Sequence, residues 1–306
     1  MTEADFLAVL RTLSLHPGAQ GLADDCARLG AQILTTDTLV EGIHFLTTDP
    51  PGDVAWKLLA VNLSDLAAKG AVPVGVLLNY PIGDAGWDRA FLDGLGSALA
   101  DFGCSLLGGD TVTLPAGAPR VLTLTAIGKA GRSVPLRSGA RPGDTLYVTG
   151  SIGDAGAGLA IARSGGGPAA LLAAYRRPQP RLAEGRALAP IVHAMMDVSD
   201  GVLIDAARMA TASGLAVTID LALIPLSDVY RGHAGDDRAA RLAAATAGDD
   251  YQLLFALAAS APPPVSATQI GHFTDGAGLT LTDAGDPVAL PARLGFEHGG
   301  ARPREH

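Results

Sequence analysis

The run from Asp53 to Gly70 constrains this fold more than any other stretch of the chain. It follows Pro51-Gly52 and stops at Gly70 before Pro73, the start and stop signals of a helix. At about 100° per residue, Trp56, Leu59, Leu63 and Leu66 share one face. Leu58 and Val61 lie on the other side. The expected helix is therefore apolar nearly all round and must be covered over most of its circumference. Asn62, Asp65 and Lys69 form a narrow polar stripe on it. A buried carboxylate must be paired or bound to a cation. Two partners for Asp65 are open at this point: Lys69 one turn on, or a metal ion.

Enclosing such a helix takes more than one layer. With 306 residues, 48% of them hydrophobic, two domains are expected. Only 5% are aromatic against 39 glycines, so the core must rest on Ala, Leu and Val between tight turns. A first helix over Asp5–Leu13 precedes a strand over Gln32–Val40. Strands are expected at Val72–Tyr80, Cys104–Leu107 and Arg120–Gly128, with a helix over Trp87–Phe102 among them. The stretch Arg137–Asp144 reads as a linker. Beyond it come a strand (Thr145–Thr149), helices (Gly156–Ala162 and Arg181–Ala194), a turn carrying Asp197 and Asp200, a helix (Val202–Ala212), and strands (Ala216–Asp220 and Tyr251–Ala256). Pro262-Pro263-Pro264 is a connector, and the tail after Gly299 is expected to fray. Strands and helices do not alternate strictly, so the fold class is α+β rather than a doubly wound sheet. The division expected is an N-terminal mixed α/β domain, residues 1–138, and a C-terminal α+β domain, residues 139–306.

Several function classes drop out. No run approaches the roughly 18 unbroken apolar residues of a membrane span. Glu3, Asp5 and Arg11 fit a first helix better than a signal peptide. Cys26 and Cys104 stand far apart, in no CxxC or Cys/His cluster, which argues against structural zinc and suits a reducing, cytoplasmic setting. A net charge of −9 leaves no basic stripe for nucleic acid. There is no GxxxxGK[ST] and no HRD or DFG pattern. Gly94-Leu95-Gly96-Ser97-Ala98 lies inside an amphipathic helix and reads as close helix packing. Gly150–Gly156 follows a strand but lacks a correctly spaced GxGxxG.

What remains is acid. The chain has 26 Asp against 5 Glu; short carboxylates on turns suit hard cations, and they also suit caps and turns. Four segments set Asp at the end of an apolar strand or on a glycine turn: Asp24/Asp25, Asp37, Asp110 and Asp197/Asp200. Gly108-Gly109-Asp110-Thr111 is the most pointed, since paired glycines permit close backbone approach to a ligand and an acid follows at once.

Taken in order, these segments resemble the thiamine-monophosphate kinase family, within the superfamily of aminoimidazole-ribonucleotide synthetase. The stretches that carry the resemblance are Ala23–Ala27, Thr35–Phe45, Ala60–Gly70, Gly108–Thr111, Asp197–Gly201 and Gly248–Tyr251. The resemblance implies ATP-dependent transfer of the γ-phosphoryl group to thiamine monophosphate, giving thiamine diphosphate, by a homodimer whose N-terminal domains pair their sheets. It implies Mg²⁺ ligands at Asp25, Thr35, Thr36, Asp37, Asp65, Asp110, Asp197 and Asp200. ATP contacts are implied at Gly109, Asp110, Arg137 and Ser199, and acceptor contacts at His44, Asp249 and Phe296. Three departures stand out: Ala23 replaces a usual Gly, Asp249-Asp250-Tyr251-Gln252 replaces Glu-Asp-Tyr-Glu, and Phe296 replaces Trp or Tyr.

The implied chemistry fits the acids. ATP, a phosphate monoester and six carboxylates repel one another unless several Mg²⁺ ions intervene. The attacking phosphate oxygen has a second pKa near 6, so no strong general base is needed, and the work reduces to in-line positioning and charge neutralisation. Selenophosphate synthetase is disfavoured because Cys26 follows an Asp pair, and a hydrogenase-maturation relative because the chain ends Arg304-Glu305-His306.

Overall fold

The computed structural model describes residues 2–297; the expected frayed tail lies outside them. Each half of the chain is built on its own sheet. In the first, β1 (Ala27–Leu29), β2 (Gln32–Val40), β3 (Val72–Ile82), β4 (Leu106–Thr113) and β5 (Val121–Lys129) run in the order β1-β2-β5-β3-β4. Only the β3–β4 pair is parallel. Alternation along β2 sends Ile33, Thr35 and Leu39 inward and leaves Thr36 and Thr38 exposed, so this sheet has one covered and one open face.

Helices α2 (Pro51–Ala68) and α3 (Ala85–Asp101) cover the inner face, after a short α1 (Glu3–Leu10) capped by Thr2. The start of α2 at Pro51 uses a proline where the missing N–H costs nothing, with Asp53 in the first turn facing the positive end of the helix. Val54 through Ser64 and Leu66 through Ala68 are all buried. Asp65 alone in that run keeps a partly open side.

The second sheet holds β6 (Asp144–Thr149), β7 (Ala194–Asp197), β8 (Ala216–Asp220), β9 (Leu253–Ala258), β10 (Ala267–Thr274), β11 (Gly278–Asp283) and β12 (Asp286–Val288), in the order β12-β11-β8-β10-β6-β9-β7. Its helices are α4 (Asp154–Ser164), α5 (Ala169–Arg176), α6 (Leu182–Leu188), α7 (Val202–Ser213), α8 (Asp228–Ala234) and α9 (Arg238–Thr246). One core lies under α7, with Val202, Leu203, Met209, Val217 and Phe273 buried together. The opposite face meets the first half: Ala67 and Ala68 of α2 join Leu188, Met195, Leu253 and Phe255 in a common cluster. Here α6 crosses α2 so closely that a Cβ on Gly185 would lie 2.0 Å from the Ala67 carbonyl oxygen. The α+β architecture is as expected, and α2 is the wall shared by both halves.

One expected element is corrected. The helix over 181–194 ends at Leu188, and β7 begins at Ala194. Pro190 lacks the N–H that would continue the helix and its ring opposes the carbonyl four residues back.

Candidate active site

The seam between the halves gathers acids from three segments. The loop before β1 brings Asp25, α2 brings Asp65, and the end of β7 brings Asp197; one carboxylate oxygen from each lies within 4.8 Å of the others. Asp37, on the same face of β2 as Thr35, raises the charge further, since it lies within electrostatic reach of Asp25 and Asp200. The scaffold around these acids is specific. The Thr35 hydroxyl donates to Asp65 Oδ2, and Ser64 Oγ donates to Asp197 Oδ2 at 2.6 Å. Asn62 Oδ1 accepts the Asp37 N–H at 3.2 Å. Three polar residues of α2, Asn62, Ser64 and Asp65, thus touch three different parts of the site.

Lys69 does not partner Asp65. Its Nζ pairs with Asp24 and lies 2.8 Å from Asp25 Oδ2, while Arg137 Nη2 pairs with Asp25 Oδ1. Burial raises the Asp25 carboxyl, but these two cations outweigh it and hold it at about 2. Asp65 has no such relief. Burial, and then Asp37, Asp197 and Asp25, hold it well above the carboxylate range. Burial and Asp25 lift Asp197 to about 8, and burial with Asp25 and Asp200 lifts Asp37 to about 6.

This donor set fits a hard divalent cation. An octahedral ion with oxygens at roughly 2.1 Å spaces its ligands roughly 3–4 Å apart, compatible with the Asp25–Asp65–Asp197 group. Asp24 Oδ2 is also buried without a hydrogen-bond donor.

The other expected residues fall into three places. Asp200 and Ser199 lie on the turn after β7, whose N–H groups at Ser199, Asp200 and Gly201 all donate to Asp205 Oδ2 at 3.1–3.3 Å. Arg208 braces both Asp200 and Asp205, at 2.5 and 2.8 Å. Asp249 and His44 meet at Lys57, which donates to both; Phe296 hands its backbone N–H to the Asp200 carbonyl at 2.9 Å. Gly109 and Asp110 stand apart. Asp37, Leu124, Leu78 and Gly109 are register partners across β2, β5, β3 and β4, three strand spacings or roughly 14 Å, and β4 is exposed along its length. Thr36 is turned to the open face, where its Oγ1 meets Thr125 Oγ1 at 3.0 Å.

Comparison with known proteins decides the family. The AIR synthase related protein, N-terminal domain, matches residues 23–130, and the corresponding C-terminal domain matches residues 141–284. Thiamine-monophosphate kinase of Caulobacter vibrioides is 39% identical, covering 97% of this chain and 91% of the relative. That of Escherichia coli is 39% identical, with 91% of each chain covered.

The chain belongs to the thiamine-monophosphate kinase family.

Solved structures agree with that membership. The thiamine-monophosphate kinase of Stenotrophomonas maltophilia K279a superposes with a TM-score of 0.75 at 34% identity, over 93% of this chain and 96% of the other. AaThiL complexed with AMPPCP and TMP gives 0.82 at 27% identity, over 97% of both. The hydrogenase maturation protein HypE of Escherichia coli, at 19% identity and 0.69 over 94% of this chain and 96% of the other, shares the fold alone.

Asp205, Lys57, Ser64 and Arg208 escaped sequence reasoning. Asp205 is fully buried and orders the Asp197–Gly201 turn; its signal was an acid in the first turn of a helix that immediately follows a glycine. Lys57 looked like one polar residue on an apolar helix and offered no pattern.

Proposed function

We propose that this chain transfers the γ-phosphoryl group of ATP to thiamine monophosphate, forming thiamine diphosphate. The observation that carries this reading is the convergence of Asp25, Asp65 and Asp197, from both halves of the chain, in a member of this kinase family. The relative AaThiL, complexed with AMPPCP and TMP, supports the same pair of substrates.

In this reading Asp25, Thr35, Thr36, Asp37, Asp65, Asp110, Asp197 and Asp200 hold several Mg²⁺ ions, Thr36 through its backbone. Bound there, Mg²⁺ supplies neutralisation of the phosphate charge. Gly109, Asp110, Arg137 and Ser199 contact ATP, and Arg137 brings a planar donor fork suited to phosphate. His44, Asp249 and Phe296 receive the acceptor, whose cationic ring suits an acid and an aromatic face. The transfer is in line and uses no general base, because the acceptor oxygen is already ionised near neutral pH.

The division at 138/139 is supported by the two family matches lying on either side of it. A homodimer through the N-terminal sheets is supported by the open edge strand β4, with Leu106, Leu107 and Val112 about half exposed. A cytoplasmic setting suits two buried free thiols, Cys26 and Cys104; no described helix is long and apolar enough to cross a membrane.

The test is an incubation with Mg-ATP and either thiamine monophosphate or free thiamine, following ADP and thiamine diphosphate. ADP is expected with the monophosphate only. Nucleotide binding without ADP, or equal ADP with free thiamine, would sink the reading.

A further inference from the structure

Lys57 is a buried cation outside the acid cluster. It sits on α2 and is 2% exposed. A buried ammonium needs a partner for each of its donors, and Lys57 has three. Its Nζ lies 2.8 Å from Asp249 Oδ2, donates to the His44 carbonyl at 3.1 Å, and stands 4.2 Å from the centre of the Tyr175 ring. These partners come from three segments: the turn after β2, the loop before β9, and α5.

The arrangement continues behind Tyr175. Its hydroxyl donates to Asp49 Oδ2 at 2.9 Å, and Arg176 Nε donates to Asp49 Oδ1 at 2.8 Å. Asp49 Oδ2 also accepts the Leu46 N–H at 2.8 Å. The stretch from His44 to Asp49 is thus clasped by Lys57 at one end and by α5 at the other.

Asp249 needs such a hold. Its φ is +70°, a left-handed backbone that costs a non-glycine residue about 1 kcal/mol. Its N–H donates to the Ser199 carbonyl at 2.8 Å, and its Oδ1 accepts from the Tyr251 hydroxyl at 3.1 Å. Its side chain is still 31% exposed, so the carboxylate presents one side to solvent while Lys57 stands on its buried side.

We infer that Lys57 is a positioning residue for the phosphate-ester acceptor. It fixes the His44 backbone and the Asp249 carboxylate, one from each half of the chain, at a set separation across the seam. The inference rests on the acceptor assignment made above for those two residues. None of the three contacts of Lys57 involves the acids of the proposed phosphate cradle, so its loss should register first on the acceptor side.

The experiment is steady-state kinetics of Lys57→Met, with thiamine monophosphate and ATP varied in turn, beside a thermal melt. Loss of a charge-assisted hydrogen bond predicts a rise of about tenfold or more in KM for the acceptor, with KM for ATP unchanged. Lys57→Arg should recover most of the loss. In an Asp249→Asn background, Lys57→Met should add much less than it does alone. Should Lys57→Met fail to fold, Lys57→Gln carries the same expectation, since it keeps a donor and loses the charge. A folded variant with unchanged acceptor KM, or with both KM values rising together, overturns the inference while leaving the kinase reading intact. A wild-type protein that forms no thiamine diphosphate overturns both.

Discussion

Asp65 is surrounded by acids, and the group that donates to its carboxylate is the Thr35 hydroxyl rather than Lys69. Burial and the neighbouring Asp37, Asp197 and Asp25 hold its carboxyl well above the usual range, so the charged form is disfavoured without metal, and an amide matches the neutral form in shape and charge. Asp65→Asn should therefore leave the melting temperature in EDTA nearly unchanged. It should remove most of the rise that Mg²⁺ gives and lower kcat by roughly 100-fold or more, the scale of a lost electrostatic contact in a transition state. Melting curves with EDTA and with MgCl₂, beside a turnover assay, check both halves. A variant that keeps its Mg²⁺-dependent rise would remove Asp65 from the ligand set. Asp110 and Asp197 were legible in the sequence, because one follows paired glycines and the other ends an apolar strand, and Asp65 was legible because it interrupts an otherwise apolar helix. Their bracing was not: Lys57 bonds a residue 192 positions away and Ser64 one 133 positions away, and no local pattern encodes such pairs.

At the scale of the element, the two glycines of α3 make a controlled contrast. A Cβ on Gly94 would lie 2.3 Å from the Gly52 Cα, whereas a Cβ on Gly96 would meet nothing within 4 Å. Close helix packing, expected for both, holds for Gly94 only. Gly94→Ala should push α3 off the start of α2 and destabilise by about 1–3 kcal/mol. Gly96→Ala should stabilise by about 0.5–1 kcal/mol through lower backbone entropy in the unfolded chain. Urea midpoints of the two variants should move in opposite directions, and a shift of the same sign would contradict the packing. Periodicity located α2, α3 and α7 because each has strong punctuation. Helices α5, α8 and α9 went unseen: α5 and α9 are alanine-rich, and α8 and α9 are capped by Ser227 and Asp237 in a stretch dense with other turn residues. The glycine loop 150–156 is also resolved here. Asp250 accepts the N–H groups of Gly153 and Ala155 at 2.7 and 3.3 Å, so a side chain already fills that helix start.

For the whole molecule, the acid cluster sets a pH dependence. Asp37 at about 6 and Asp197 at about 8 are raised above their unfolded value of 3.8, and Asp65 is raised well above it too. Between pH 4 and 8 the metal-free folded state then binds more protons than the unfolded chain. Its stability falls as pH rises, by about 1.4 kcal/mol per pH unit for each proton by which the states differ. Mg²⁺ competes with those protons, so its stabilisation should be small at pH 5 and large at pH 8. Melting temperatures at the two pH values, with EDTA or MgCl₂, test this. A larger Mg²⁺ effect at pH 5 would place the cation elsewhere.

Helix α2 serves at once as the core of one half, a wall of the other and the floor beneath the acids. Almost no position along it can be exchanged for the sake of one duty without disturbing another. Anyone redesigning this scaffold for a different acceptor therefore has little freedom on that helix. The freedom lies in the neighbouring segment that carries His44, where Ile43, Thr47 and Thr48 are exposed and a new side chain can be placed while the helix keeps the frame.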